Sequence, residues 1–291
     1  PESLTAARLD QVVEQILSIR HARDRARLPG LDARRADIIV GGAVLLAEIM
    51  GTLRINELKI SRYALREGIL FDSLERLGLR KDTADIRLTS VRSLCARLTP
   101  PGLPGLGALD HAASLARRTA VALREEKLLS ISDEEVFLLH AATLLCNIGL
   151  IIAHSGHHKH SYYIIKNSDQ ILGFQNHEIH TIALLTRYHR KAFPSLKHPE
   201  FALLGQREQQ QLRQMAGILR IALALNRSGK NTIRDLHLHS SKERIVFTVE
   251  PALPIAQDSL QLDWEAAQIK SDLLAEVLGR PVEFSPIPHS G

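Results

Sequence analysis

The strongest constraint in this chain is a change of hydrophobic period at Gly229. Between His111 and Ser228 apolar residues recur at helical spacing in blocks at 112–125, 134–152, 161–166, 177–189 and 208–226. Each block carries a stripe that must be buried against another helix, so an all-helical bundle is expected. In the last block Leu212, Met215, Leu219, Ala222 and Leu223 share one face, with Arg213 and Gln214 off it. Beyond Gly229 the period drops to two: Leu236 and Leu238 alternate with His237 and His239, and Ile245, Phe247 and Val249 with Val246 and Thr248. Ser240-Ser241-Lys242-Glu243 supplies the hairpin turn. A helix over 264–278, stopped by Gly279, and a last strand over 282–284 complete a small antiparallel β-sheet with one helix.

Upstream the pattern is less closed. Residues 1–28 read as a helix on Leu9, Val12, Val13, Ile16 and Leu17, ended by Leu28-Pro29-Gly30-Leu31. A second helix over 34–53 leads to a short β-type run, Leu58-Lys59-Ile60, and Ser61 caps a further helix on Leu65, Ile69, Leu74 and Leu77. A lone strand cannot satisfy its own backbone groups. Nothing else in residues 1–90 reads as a strand, so part of that domain is expected to be missing. Thr99 to Gly107 holds three prolines and three glycines, which removes helical donors and marks a linker. The expected fold is mainly α (α+β), with a first domain over 1–90, a linker over 91–110, a helical domain over 111–228 and a small α/β domain over 229–291.

The 291 residues, 45% hydrophobic and 24% charged, suffice for real cores and exclude a disordered or collagenous chain. The apolar run at 38–49 is broken by Gly41, Gly42 and Glu48 and falls short of the roughly 20 residues that cross a bilayer, so no membrane partner is expected. No secretory signal opens the chain, and its first residue is not methionine; a piece of a longer protein is expected. Two cysteines are too few for a disulfide scaffold, which points to a reducing, cytoplasmic setting. A formal charge of +5 allows a polyanionic partner without demanding one, and no specific nucleic acid is expected.

The densest chemical signal is histidine: eight of 14 fall between His154 and His198. The core string is His154-Ser155-Gly156-His157-His158-Lys159-His160. A metal site needs neutral or anionic ligands converging on a point, and a lysine among the imidazoles opposes that. A loop of donors suits oxyanions better. The candidate polyanion-binding residues are therefore His157, His158, Lys159, His160, Lys166, Arg187, His189, Arg190 and Lys191. The competing reading makes these helix-capping and surface groups; Tyr188-His189-Arg190-Lys191 also suits a helix C-terminus electrostatically. Arg20, Arg23, Arg25 and Arg27 read as a solvated helix face. Gly41-Gly42 lacks a phosphate-loop context and reads as close helix packing. Cys146 reads as a buried structural thiol.

With those strings located, the chain resembles the C-terminal portion of the exopolyphosphatase and guanosine pentaphosphate phosphatase (Ppx/GppA) family. Arg35 to Ala43 and Ile60 to Leu70 resemble the close of its actin-like ATPase-fold core; Asn147-Ile148-Gly149 through Ser161, and Gly173-Phe174 through Lys191, resemble the helical domain behind it. For the parent this implies hydrolysis of terminal phosphoanhydride bonds in polyphosphate or guanosine pentaphosphate, with magnesium and a water-activating glutamate. The family's phosphate loops have no counterpart here, so no catalytic residue and no cofactor are expected in this chain, which alone would be inactive and would bind polyphosphate or mediate a homodimer. The helical domain resembles the HD fold, whose active members hold metal with a histidine, a His-Asp pair and a later aspartate. His111 stands at the first position, but Cys146-Asn147 stands at the pair, and Leu223 and Asn226 stand where aspartates belong. Two other classes remain open: a self-sufficient HD-type metal phosphohydrolase, and an interaction module without anion preference.

Overall fold

The computed structural model describes residues 3–60, 65, 68, 69, 73, 83–100, 102, 105–252 and 257–286. The chain divides into two compact units, residues 1–80 and 81–291.

In the first unit, β1 (Ser3–Thr5) pairs antiparallel with β2 (Glu57–Lys59), with Leu4 opposite Leu58. The strand therefore has its partner, and the expectation of a lone strand is corrected: three residues are too few for a period-two pattern to show. Thr5 then caps α1 (Ala6–Ser18) by accepting from the Arg8 amide at 3.3 Å. α1 packs on α3 (Ile39–Thr52), burying Leu9, Ile16, Ala43 and Met50. The helix expected over 1–28 ends at Ser18, ten residues early, because Ile19 turns extended and the chain doubles back through α2 (Ala22–Arg25). Arg25 holds that turn, donating to Ile19 O at 2.8 Å, Arg20 O at 3.2 Å and Ala36 O at 3.0 Å, so it is a clamp and not part of a solvated face. Close packing at Gly41-Gly42 is also corrected: a Cβ at either would meet nothing within 4 Å. Of the helix expected after Ser61, the cap and most of the length, with Leu74 and Leu77, lie outside the described residues.

The second unit contains α4 (Thr83–Leu98), α5 (Leu106–Glu125), α6 (Asp133–Leu145), a 3-10 turn (Ile148–Ile151), α7 (His157–Asn167), α8 (Asn176–Tyr188), α9 (Pro199–Ala202) and α10 (Gln206–Ala224). Within the expected linker, 91–98 and 106–110 are helical, so α4 and α5 enter the expected span from both sides. α10 packs against α5, α6, α8 and the two helices that follow the hairpin. It is therefore covered on every side over its second half, and Gln214 and Arg220 are buried with the apolar residues. The sequence pattern sets Gln214 off the buried face, but a single apolar stripe does not describe a helix enclosed all round. Asp133–Ile151 has the length and mean hydropathy of a membrane span, yet α6 within it is a core helix of this unit, eight of its residues buried.

β3 (Ile233–Ser240) and β4 (Ile245–Pro251) form an antiparallel hairpin, with Ser240 opposite Ile245 and Leu236, Ile245, Phe247 and Val249 turned inward. β5 (Val282–Pro286), however, runs parallel to β4, so the sheet is mixed rather than antiparallel. The reason is the connection. α11 (Gln257–Lys270) and α12 (Asp272–Leu278), two helices where one was expected, carry the chain back across the sheet before the last strand, as a parallel pairing requires. Gly279, at φ +65°, ends α12 in the left-handed conformation. Phe247 stacks on Phe284 at 5.2 Å, and one continuous core runs from Val91 in α4 to Phe284 in β5.

Candidate functional site

The histidine string is built on a backbone contact. A Cβ on Gly149 would lie 2.2 Å from His157 O and 2.4 Å from Ser161 N, so only glycine lets the 3-10 turn meet the start of α7. Ser161 Oγ locks the contact, donating to Cys146 O at 2.8 Å and accepting from Gly149 N at 2.9 Å. Gly156, at φ +70°, then starts α7, and no side chain caps it. The segment expected as a loop is thus the first turn of a helix; the Lys159 and His160 amides donate to Gly156 O at 2.7 and 3.3 Å, which leaves those of His157 and His158 at the end where the helix dipole favours an anion.

Onto that start the fold brings His157, His158, His189 and Arg190. The His157 and His189 rings stack at 5.5 Å, and His158 meets them edge-on at 6.1 and 6.4 Å. Arg190 Nη1 lies 3.2 Å from His157 Nδ1. His189 Nδ1 lies 2.6 Å from Thr186 O and His157 Nδ1 3.2 Å from His154 O. Nδ1 of His158 is buried without a partner among the described residues. All three imidazoles are buried, and that burial pushes their basicity down: His158 to about 4, His189 to about 3, and His157 in the same direction. The positive charges of Arg190, Lys191 and Lys159 add to the effect on His158. The histidines are therefore neutral near pH 7, and the charge is carried by Arg190, half-buried, with Lys159 and Lys191 exposed.

The nine candidate residues do not form one patch. His160 is half-buried beside Gly149. Lys166 and Arg187 gather instead around Tyr162: Lys166 donates to its hydroxyl at 3.2 Å, and the Arg187 guanidinium sits 5.6 Å from its ring while pairing with Glu200 at 2.7 Å. Sequence reasoning missed two arginines. Arg220, from α10, donates to the carbonyls of Tyr188 and Lys191 on either side of the basic turn. Arg87, from α4, lies between the rings of Phe137 at 4.4 Å and Phe174 at 4.3 Å, over Gly173 at φ +80°, and pairs with Glu134 and Glu178. Burial raises the Glu178 carboxyl, whereas the Arg87 hydrogen bond lowers that of Glu134. Period analysis gives no signal for a buried cation whose partners lie on other helices.

The HD-type positions are held by structural contacts. His111 is half-buried, its basicity lowered by burial, and its Nε2 has no partner among the described residues. Cys146 is wholly buried, which pushes its thiol up. Asn226 donates to Ala108 O at 2.8 Å and to Asn231 Oδ1 at 3.1 Å, and Leu223 packs on the core. Among the described residues no three of His, Cys, Asp and Glu converge as a metal site. With amides and a buried thiol in place of carboxylates, these positions do not fit a divalent cation.

Comparison with known proteins adds the following. The model of Ppx/GppA phosphatase, domain III matches residues 109–267, and that of the Ppx/GppA phosphatase family matches residues 1–77. The guanosine-5'-triphosphate,3'-diphosphate pyrophosphatase of Photobacterium profundum is 26% identical over 272 residues, 92% of this chain and 51% of that protein. Its namesake in Vibrio cholerae serotype O1 is 24% identical over 267 residues, 90% of this chain and 50% of its own length. The one in Pseudoalteromonas translucida is 30% identical over 163 residues, 56% of this chain and 31% of its own length. The chain thus spans about half the length of the first two relatives.

Proposed function

The chain belongs to the Ppx/GppA phosphatase family, and from that premise we propose that it binds the phosphate chain of the substrate of such an enzyme at the start of α7. The observation that carries this reading is the uncapped helix start flanked by Arg190, Lys159 and Lys191, with neutral histidines between them. Backbone amides and cations offer donors only, as an oxyanion needs. Polyphosphate and guanosine pentaphosphate both suit this chemistry. The names of the relatives, guanosine-5'-triphosphate,3'-diphosphate pyrophosphatases, favour the second.

On this proposal the first unit belongs to an actin-like ATPase-fold lobe, the helices of the second are HD-like, and the parent works in the cytoplasm as a homodimer with magnesium held outside this chain. Hydrolysis needs phosphate loops and a water-activating carboxylate, which on this proposal the rest of the enzyme supplies, and this chain alone does not turn over substrate.

Two measurements test the reading. Titration calorimetry with linear polyphosphate and with guanosine pentaphosphate is expected to show binding that Lys159→Ala with Arg190→Ala weakens at least tenfold; unchanged affinity in that double variant removes the assignment. Phosphate release from polyphosphate with magnesium is expected to be absent, and turnover at an enzyme's rate would overturn the division of labour.

A further inference from the structure

Arg220 occupies the most enclosed stretch of α10, its side chain only 2% exposed. Burying a guanidinium is costly unless its donors are used, and here Nη1 and Nη2 have contacts while Nε has no partner among the described residues. One nitrogen, Nη1, reaches both Tyr188 O at 3.3 Å and Lys191 O at 3.4 Å, so a single group spans the turn that presents His189 and Arg190. Phe193, two residues further on, packs against the guanidinium at 4.8 Å. Nη2 faces Asp272 Oδ1, at the start of α12, at 3.7 Å. The turn itself is strained: Lys191 sits at φ +59°, in the left-handed region that a residue with a Cβ rarely enters. Such a conformation persists only where its surroundings enforce it, and Arg220 supplies a tie at each end.

We propose that Arg220 is the positioning residue of the polyanion-binding turn, fixing residues 188–191 so that Arg190 stays beside His157, with Asp272 of the closing α/β segment as its counter-charge. The inference rests on the reading of the α7 start as a polyanion site, and it makes a segment far along the chain part of that site. Neither an ammonium nor a neutral side chain can replace the guanidinium, because only a planar fork reaches two carbonyls and a carboxylate together.

Binding of linear polyphosphate to the whole chain tests this. Arg220→Met is expected to weaken binding about tenfold, and Arg220→Lys to leave most of that loss in place. The decisive readout is a cycle with Arg190→Ala: once Arg190 is gone, Arg220→Met costs less than about twofold more, because its effect is transmitted through the turn. Additive losses, or wild-type affinity in Arg220→Met, overturn the positioning role. Asp272→Asn keeps Arg220 and changes a half-exposed residue, so it covers the case in which Arg220→Met does not fold. It is expected to weaken binding about threefold and to speed amide exchange at residues 189–193; no change in either overturns the proposal. Absence of binding by the unsubstituted chain, or indifference to Lys159→Ala with Arg190→Ala, overturns the underlying site as well. Loss in that double variant with none in Arg220→Met removes only the positioning role.

Discussion

The starts of α6 and α8 differ from the start of α7, though all three lie in one packed unit. α6 begins with a reciprocal capping box: Glu135 N donates to Ser132 Oγ at 3.2 Å, and Ser132 N to Glu135 Oε2 at 2.7 Å. α8 begins with Gln175 N donating to Glu178 Oε2 at 2.6 Å. Each supplies its own carboxylate to the first turn. α7 has no acidic residue there; it has His157, His158 and Lys159, and no side-chain cap. A helix start that carries its own anion is complete within the fold. One flanked by cations and neutral imidazoles lacks that internal anion, and on the proposed reading it is the end at which an external anion is bound.

The most severe way to break the contrast is to move α7. Gly149→Ala sets a Cβ against backbone at 2.2 and 2.4 Å, and backbone cannot swing aside as a flexible side chain can. A loss of about 3 kcal/mol in denaturant unfolding, at the upper end for overpacking, is expected together with weakened polyphosphate binding. Unaltered stability would show that the 3-10 turn and α7 are not in contact.

Acid offers a second test. His158 and His189 have basicities depressed from the ordinary 6.5 to about 4 and about 3, so the unfolded chain binds more protons than the folded one below the ordinary value. Their contribution is complete above about pH 6.5 and is lost progressively as pH falls toward about 4 for His158 and about 3 for His189. His158→Gln with His189→Gln is expected to flatten that part of the stability curve. An unchanged pH profile would mean that the imidazoles are solvated in the folded protein.

The smallest effect separates a side-chain-capped helix start from an uncapped one. Ser132→Ala removes a cap and is expected to cost about 1 kcal/mol of stability while polyphosphate affinity stays the same. Lost affinity in that variant would erase the distinction between the α6 and α7 starts.

Much of the second unit is legible because helical period and inward-facing strands are local properties of the chain. The blocks at 112–125, 177–189 and 208–226 lie within or within two residues of α5, α8 and α10, and the hairpin has its expected turn. What escapes is set by partners distant in sequence. The parallel pairing of β5 depends on the route taken by α11 and α12, β1 is three residues long, and Gln214 and Arg220 are buried because helices from both directions enclose α10. Among the site residues, the grouping of His157, His158 and His189 with Arg190 follows from the contact of the start of α7 with the end of α8, whereas Lys166 and Arg187 turn away toward Tyr162. Spacing alone placed all nine together because it reports proximity along the chain and not direction around a helix.

Salt is the direct test of the central claim. Lys159, Arg190 and Lys191 bring about three cations to a flexible polyanion, so affinity for linear polyphosphate, measured by calorimetry, is expected to fall about tenfold between roughly 50 and 200 mM sodium chloride. Binding of equal strength at both salt concentrations, or none at either, would contradict the assignment of the α7 start as a polyanion site.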